Sequence, residues 1–272
     1  MRKLLPLTLL AVAGFLSSCG GGAGDGIMSA LFGEGARLRP MQTCTTTVNS
    51  VGALQQALTQ AQSNNQDDVI CIQAGTYQVT QTLTYITPNG DGGHKLTIKA
   101  VGGTVTLNGN NSVQIMRIDT DSDNSASTSD AQADVTIEGI TFQNGNNSSG
   151  DGGGLYVKTR EANITLTNNT FSGNQAQYGG GAYAGSGSGT VTLTNNTFSN
   201  NTAQYDGGGA YARSYSGTVT LTNNTFSGNQ AQNGGGAYAY SGSGNINLTN
   251  NTFSGNQARY GGGAFARSGL GN

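Results

Sequence analysis

Residues 164–171 read Ile164-Thr165-Leu166-Thr167-Asn168-Asn169-Thr170-Phe171. The stretch returns with small changes at residues 191–198, 219–226 and 246–253, and a more divergent first copy ends at Phe142. Successive copies lie 27 to 29 residues apart, and a glycine triplet follows each one. A period of this length indicates a repeat protein in which every repeat is one structural unit.

Each repeat is expected to form a strand, a turn and a second strand. Ile164 and Leu166 alternate with threonines, which is typical of a strand with one buried face. Asn168-Asn169 predicts a turn, and residues 181–184 predict another short strand. One such coil cannot bury its own apolar face, so successive coils must stack about 4.8 Å apart. The sequence therefore predicts an all-β fold, a right-handed parallel β-helix; the leucine pattern of a leucine-rich repeat is missing.

Stacking would place equivalent side chains directly over one another. We expect an inward ladder of repeat phenylalanines, in which asparagines pass amide hydrogen bonds from coil to coil. Burial of each ring would stabilise the fold by about 1.5–3 kcal/mol. The predicted ladder consists of Phe142, Phe171, Phe198, Phe226 and Phe253.

The first part of the chain is less regular. Residues 51–62 read as an amphipathic helix, and strands are expected at residues 68–72, 83–86, 95–98, 105–107 and 113–118. This order resembles the start of many right-handed parallel β-helix proteins, in which a helix caps the first coil. A cap protects the otherwise unpaired sheet edges at the end of the solenoid. We assign residues 41–134 to the capping helix and irregular first coils, and residues 135–272 to the regular coils.

The N-terminus reads as an export signal. Met1-Arg2-Lys3 is basic, residues 4–16 are mostly apolar, and Leu16-Ser17-Ser18-Cys19 follows. The last four residues resemble the lipobox of bacterial lipoproteins. The resemblance implies removal of signal peptide 1–18 and a membrane partner held through lipid on Cys19. Residues 19–40 would be a glycine-rich tether. The residue after the cysteine is Gly20 rather than Asp, which resembles Gram-negative lipoproteins that are sent to the outer membrane or cell surface.

The two other cysteines, Cys44 and Cys71, form an even pair in an exported chain. A disulfide between them is the default expectation, and two buried free thiols are the alternative. The bond would staple the cap to the first coil.

Charge is sparse in this chain. Lys and Arg number 12, Asp and Glu number 14, and charged residues make up 10% of the sequence. The net charge of −2 gives no electrostatic case for nucleic acid as a partner.

Two short motifs within each repeat carry a family resemblance. Phe171-Ser172-Gly173-Asn174 and Gly180-Gly181-Ala182-Tyr183 resemble the paired FxxN and GGA[ILVY] motifs of chlamydial polymorphic outer membrane proteins. The pair recurs in the later repeats, and the resemblance covers roughly residues 163–266. It implies a surface-exposed β-helix, often an adhesin.

The tyrosines of the GGA motif could face either way. The alternation in Leu155-Tyr156-Val157 favours an outward position, whereas the isoleucine that the resembling motif allows there favours the core. We favour the core for Tyr183, Tyr211 and Tyr238. Better candidates for exposure are Tyr178, Tyr205 and Tyr260 near the glycine triplets, and with Arg213 they could bind a host surface or an acidic glycan.

Candidate sites for metal or catalysis are few. The spacing of Asp119, Asp121, Asp123 and Asp130 resembles the first half of a calcium loop, so Ca²⁺ is the one cofactor that the sequence suggests. Asp134 and Glu138 share a strand face and could form an acid–base pair, although a solvated face is the simpler interpretation. The single histidine, His94, has no obvious partner for triad chemistry.

The leading hypothesis is a non-enzymatic surface β-helix used for adhesion or surface interaction. A polysaccharide-active lyase or hydrolase of the β-helix type and a structural scaffold lipoprotein are the alternatives.

Overall fold

The computed structural model describes residues 43–88, 90–123 and 133–269. The predicted signal peptide, Cys19 and the tether lie outside the described residues. The described chain is a stack of parallel β-coils with one capping helix, which confirms the predicted fold class. None of its helices is long and apolar enough to cross a membrane.

In chain order the described strands are β1 Thr46–Val48, β2 Asp68–Gln78, β3 Leu83–Ile86, β4 Leu96–Asn108, β5 Met116–Asp119, β6 Val135–Glu138, β7 Ile140–Gln143, β8 Asn146–Asn147, β9 Leu155–Thr159, β10 Ile164–Thr167, β11 Thr170–Ser172, β12 Gln175–Tyr178, β13 Ala182–Ser186, β14 Val191–Thr194, β15 Thr197–Ser199, β16 Thr202–Asp206, β17 Ala210–Ser214, β18 Val219–Thr222, β19 Thr225–Ser227, β20 Ala237–Ser241, β21 Ile246–Thr249, β22 Thr252–Ser254 and β23 Ala264–Ser268. They form a 13-stranded, a 7-stranded and a 3-stranded sheet. The 7-stranded sheet consists of β3, β5, β9, β13, β17, β20 and β23.

Pairing between coils follows the sequence repeat. Leu166 of β10 pairs in register with Leu193 of β14, and Phe171 of β11 pairs with Phe198 of β15. The extra residue of the 28-residue repeat is accommodated by a bulge in the 3-stranded sheet, where Tyr178 pairs with Asp206 rather than Tyr205. Length variation is thus absorbed at a corner, and the core stays in register.

The predicted capping helix is confirmed as α1, Val51–Ala61. It begins where the Ser50 side chain accepts a hydrogen bond from the Ala53 amide at 3.1 Å. Its apolar face buries Leu54, Ala57, Leu58 and Ala61 against the first coil. Gln55 ties the helix down through both backbone groups of Thr84.

Three of the predicted strands needed correction. Residues 95–98 and 105–107 belong to one long strand, β4, which bends at Gly102 and Gly103 with φ of +75° and +140°. Glycine adopts such backbone angles at low cost, so the strand turns a corner without ending. The strand expected at residues 113–118 begins only at Met116.

The repeat phenylalanines form one stack through the core. Neighbouring rings are 4.8–5.1 Å apart and within 6° of parallel. Phe142, Phe171, Phe198 and Phe226 are fully buried, whereas Phe253 is half-buried. The rings therefore contact one another as well as the aliphatic side chains around them.

The two asparagines of each repeat have different tasks. Asn195 takes a left-handed conformation with φ of +55° and makes the turn, while Asn196 points inward. The Asn196 amide donates to the Leu166 carbonyl at 2.8 Å and to Asn224 Oδ1 at 3.0 Å. Its own Oδ1 accepts from the backbone amide and Nδ2 of Asn169. Every buried amide in this column is thereby satisfied, as burial demands.

A disulfide joins Cys44 to Cys71. Cys71 lies in β2, which pairs with β1 just after Cys44. The bond ties the segment before α1 to the first coil.

Candidate functional site

The outer face of the 7-stranded sheet carries a column of aromatic side chains. In β13, Ala182 and Ala184 belong to the core, so Tyr183 between them projects from the opposite side. The preference for an inward tyrosine was therefore wrong. The column, in paired register, consists of Arg117, Tyr156, Tyr183, Tyr211, Tyr238 and Phe265.

These outward rings cover one another. Successive ring centroids are 4.9–5.3 Å apart, and the planes lie within 14°. At one end the Arg117 guanidinium lies 4.4 Å from the centre of the Tyr156 ring, and it also contacts Asp119 Oδ2 at 2.7 Å. Tyr183 is consequently only 7% exposed although it faces outward. The ring faces are occupied by the stack, so the edges and hydroxyls are what this column offers to a ligand.

Burial keeps these phenols protonated. It raises the pKa of Tyr156 and Tyr211 to about 12, and raises the pKa of Tyr183 well above its usual value. The column therefore presents neutral hydroxyl groups near neutral pH.

A second outward column lies two residues further along each strand. Its members in register are Asp119, Lys158, Gly185, Arg213, Tyr240 and Arg267. A Cβ on Gly185 would lie 2.8 Å from Cε1 of Tyr183. Glycine at this position leaves room for the Tyr183 ring and opens a depression in the sheet surface.

Arg213 and Tyr215 form a wall between two clefts on this face. The Arg213 guanidinium lies 4.3 Å from the centre of the Tyr215 ring, and Tyr215 is 54% exposed. The first cleft, of about 310 Å³, is lined by the wall together with Lys158, Arg160 and Gly185, among others. The second, of about 280 Å³, is lined by the wall together with Tyr211, Tyr238, Tyr240 and Arg267.

The charge around the clefts is mainly positive. Lys158 Nζ lies 3.1 Å from Asp121 Oδ2, and Arg160 Nη1 lies 3.7 Å from Asp121 Oδ1. Two cations thus share one carboxylate. Within residues 43–88, 90–123 and 133–269, Arg213 forms no ion pair with a carboxylate. Its guanidinium remains charged and can pair with an anionic ligand.

Of the four binding residues predicted from sequence, Arg213 lies at the clefts. Tyr260 is 52% exposed, but Tyr178 and Tyr205 are half-buried, with their rings 5.1 Å apart. These three tyrosines belong to the corner beside the 7-stranded sheet and do not line either cleft. Sequence reasoning missed Tyr215 and Tyr240 as lining residues. Their signal was the register of the GGA motif, because Tyr215 lies four residues after Tyr211 and Tyr240 lies two residues after Tyr238.

The corner also holds a perturbed carboxyl group, Asp151. Burial raises its pKa, and the charges of Arg213 and Arg117 oppose that rise. Asp151 is therefore an acid that holds its proton more readily than a solvated aspartate, at the edge of the tyrosine column.

The predicted acid–base pair lies elsewhere. Asp134 precedes β6 in the 13-stranded sheet, and its Oδ1 accepts two hydrogen bonds from Asn163. Glu138 ends the same strand and is exposed. His94, for which the sequence suggested no partner, has Nδ1 3.5 Å from Asp67 Oδ1. None of these residues lines the clefts.

The candidate calcium ligands are distributed among basic partners. Asp119 contacts Arg117, and Asp121 contacts Lys158. Across the described ranges, no group of three or more His, Cys, Asp and Glu side chains could hold a metal. Asp130 lies outside the described residues, so the calcium loop stays a prediction that depends on it.

One comparison with known proteins identifies the family of this chain, a match to a family model. No curated protein matches the chain. Among solved structures, a crystal structure of Escherichia coli YbhC aligns with 12% sequence identity and a TM-score of 0.42, over 80% of this chain and 69% of that chain. A likeness at this level carries no argument about function. The family described as the right-handed β-helix region matches residues 105–271. Because this match spans more than half of the sequence, the chain belongs to the right-handed β-helix family.

Proposed function

We propose that the protein is a non-enzymatic surface-interaction protein, lipid-anchored at Cys19 to the bacterial outer membrane or cell surface, that binds an external partner on the outer face of the 7-stranded sheet. The observation that carries the proposal is the wall of Arg213 and Tyr215 between two clefts. We call Lys158, Arg160, Arg213, Tyr215, Tyr240 and Arg267 the basic–aromatic face.

The composition of this face suits binding. Tyrosine and arginine supply a disproportionate share of the binding energy in protein interfaces. Charged residues make up only 10% of the chain, yet four cations gather here. On the 13-stranded sheet, by contrast, the outward positions of β10, β14 and β18 are all threonines.

The scaffold beneath the face is rigid. Arg213 and Tyr240 extend from strands whose neighbours pair on both sides, and the tyrosine column packs beside them. A preorganised surface loses less conformational entropy on binding than a loop does. The members of the face that lie on strands, Arg213, Tyr240 and Arg267 among them, are therefore held in place before a ligand binds, while Arg160 and Tyr215 follow directly after the ends of their strands.

The proposed function is tested by retention of the purified full chain on host cells. We expect the double variant Arg213→Ala with Tyr215→Ala to lose most retention while its thermal unfolding is unchanged. Arg259→Ala is the matched control, since Arg259 also lies against a tyrosine, 5.2 Å from the Tyr260 ring centre, but lines neither cleft. Equal retention of the wild-type protein, the double variant and the control would show that the basic–aromatic face is not the binding surface.

The proposed anchor needs its own test. In bacteria fed labelled palmitate, the wild-type chain should incorporate label and Cys19→Ser should not. Label on the Cys19→Ser variant would contradict a lipid at that position.

A polysaccharide-active enzyme is the second candidate, and Asp151 favours it. A carboxyl group whose pKa burial has raised can serve as a general acid. Incubation of the chain with a polysaccharide panel, followed by mass spectrometry, distinguishes the candidates. New oligosaccharides that disappear in Asp151→Asn would replace the adhesion proposal with an enzymatic one.

A further inference from the structure

We infer that the basic–aromatic face binds an acidic polysaccharide lengthwise, with one carboxylate or sulfate group for every two sugar units. This inference rests on the proposed function, because it names the ligand class for the same face. It follows from the order in which cations occur along the stack of coils.

Cations alternate with uncharged residues in the second outward column. Its first member, Asp119, is held by Arg117 at 2.7 Å, and from the next coil onward the column reads Lys158, Gly185, Arg213, Tyr240 and Arg267, each paired in register with the next. Adjacent strands are about 4.8 Å apart, so cations recur about every 10 Å along the axis. A straight polyanion with acid groups at every second unit fits this spacing, because one sugar ring spans roughly one coil.

The uncharged positions suit the intervening sugars. Gly185 has no side chain of its own, and the floor of the depression there is formed by the Tyr183 ring and the stem of Arg213, whose Cγ would lie 3.3 Å from a Cβ at this position. At Tyr240 the ring meets Tyr215 edge-on, with ring centres 6.3 Å apart and a plane angle of 85°. An aromatic face that remains open can pack against the apolar side of a sugar ring. A sugar could therefore occupy the depression at Gly185 and pack against the ring at Tyr240.

Hydroxyl groups complete the recognition surface. The neutral phenols of Tyr183, Tyr211 and Tyr238 line the clefts. Because the tyrosine column uses its ring faces for stacking, little flat apolar surface remains for the core of a protein partner. The hydroxyl-rich lining with isolated cations matches a hydrated, charged glycan better than a peptide.

Arg213 should dominate the affinity. It lines both clefts, and its planar guanidinium can take a carboxylate or sulfate through two parallel hydrogen bonds. Lys158 and Arg160 already hold Asp121, so they contribute a net positive field more than a new direct pair.

The test uses isothermal titration of the full chain with defined probes. Hyaluronan oligosaccharides carry one carboxylate per two sugars, polygalacturonate carries one per sugar, and laminarin oligosaccharides carry none. We expect hyaluronan to bind at least tenfold more tightly than either of the others. Arg213→Gln should weaken that binding at least tenfold, and the control Arg259→Gln should leave it unchanged.

A gain-of-function variant tests the spacing itself. Tyr240→Arg places a cation on the coil between Arg213 and Arg267, so it should shift the preference toward polygalacturonate. An unshifted preference in a normally folded Tyr240→Arg protein would overturn the spacing argument.

The outcomes separate this inference from the proposed function. If no acidic glycan binds, but cell retention still depends on Arg213 and Tyr215, the glycan inference fails and the binding function stands. Binding that tracks only charge density, or equal binding to phosphatidylglycerol vesicles, overturns the inference as well. If the wild-type protein neither binds an acidic glycan nor is retained on cells, both proposals are refuted.

Discussion

Replacement of one ladder phenylalanine, Phe198→Ala, tests how the coils are held together. Phe198 is fully buried and stacks on two rings, those of Phe171 and Phe226, both at 4.8 Å. It also packs against backbone, since a Cβ on Gly209 would lie 3.0 Å from the Phe198 Cβ. The cavity left by alanine is bordered by main chain that the hydrogen-bond ladders fix at the coil spacing, so it cannot collapse.

The expected loss follows from burial and stacking together. Truncation of a buried phenylalanine to alanine costs about 3–5 kcal/mol. Each lost ring pair adds about 0.5–1.5 kcal/mol beyond area burial, which places this double-stacked position near the upper end of that range. Phe253→Ala is the matched control: Phe253 is half-buried and stacks only on Phe226 among the described rings. Its loss should be about 1–2 kcal/mol.

Urea unfolding followed by circular dichroism measures both variants. A repeat protein sums the stabilities of its coils and their interfaces, so the midpoint of Phe198→Ala should fall well below that of Phe253→Ala. A loss under 1 kcal/mol for Phe198→Ala, or equal losses for the two variants, would refute the ladder as the main source of coil-to-coil stability.

Three further predictions concern polar groups and the cap. Asn196→Ala should lower the free energy of unfolding by about 1–3 kcal/mol for each buried group that it leaves without a hydrogen-bond partner, whereas Asn195→Ala in the exposed turn should lower it less. Equal urea midpoints for the two variants would contradict the amide ladder. Burial raises the pKa of Tyr156 and Tyr211 above the unfolded value of about 10, so the stability that these two protonated phenols contribute should be fully present below pH 10 and fall as the pH rises toward about 12; a free energy of unfolding that does not fall between about pH 10 and 12 would contradict this. Cys71→Ser should lower the free energy of unfolding by about 3–4 kcal/mol, because the disulfide closes a separation of 27 residues, and reducing agent should then have no further effect.

The repeat made the core predictable from sequence. The strand at residues 164–167 alternates cleanly, and the Asn168-Asn169 pair marks the bend, so strand, turn and inward phenylalanine follow from local rules. The first coils were harder because β4 continues through a bend at Gly102 and Gly103 that reads as a break. A glycine pair predicts that the chain changes direction, but it does not show whether the strand's pairing with its neighbours ends there.

The candidate site was less predictable because it depends on contacts between coils. Counting alone places Arg213 two residues after Tyr211, but it does not reveal that the tyrosine rings lie flat on one another. Without that contact the tyrosines look like sugar-stacking platforms. The extra residue in one repeat likewise moves Tyr205 out of register with Tyr178. It forms a bulge that no local sequence motif predicts.

Stability and ligand recognition depend on different columns of side chains. The two aromatic columns stabilise the stack of coils, and the column beside the tyrosines determines what binds. The inner phenylalanine ladder and the outer tyrosine column repeat nearly the same residue in every coil, which is what a stack with a fixed spacing requires. The column beside them varies from Lys158 through Gly185 and Arg213 to Tyr240 and Arg267 while its backbone stays in register. Variation confined to one outward column leaves the core energy of each coil unchanged. The ligand preference of the face can therefore be altered there without rebuilding the solenoid, and Tyr240→Arg uses this property.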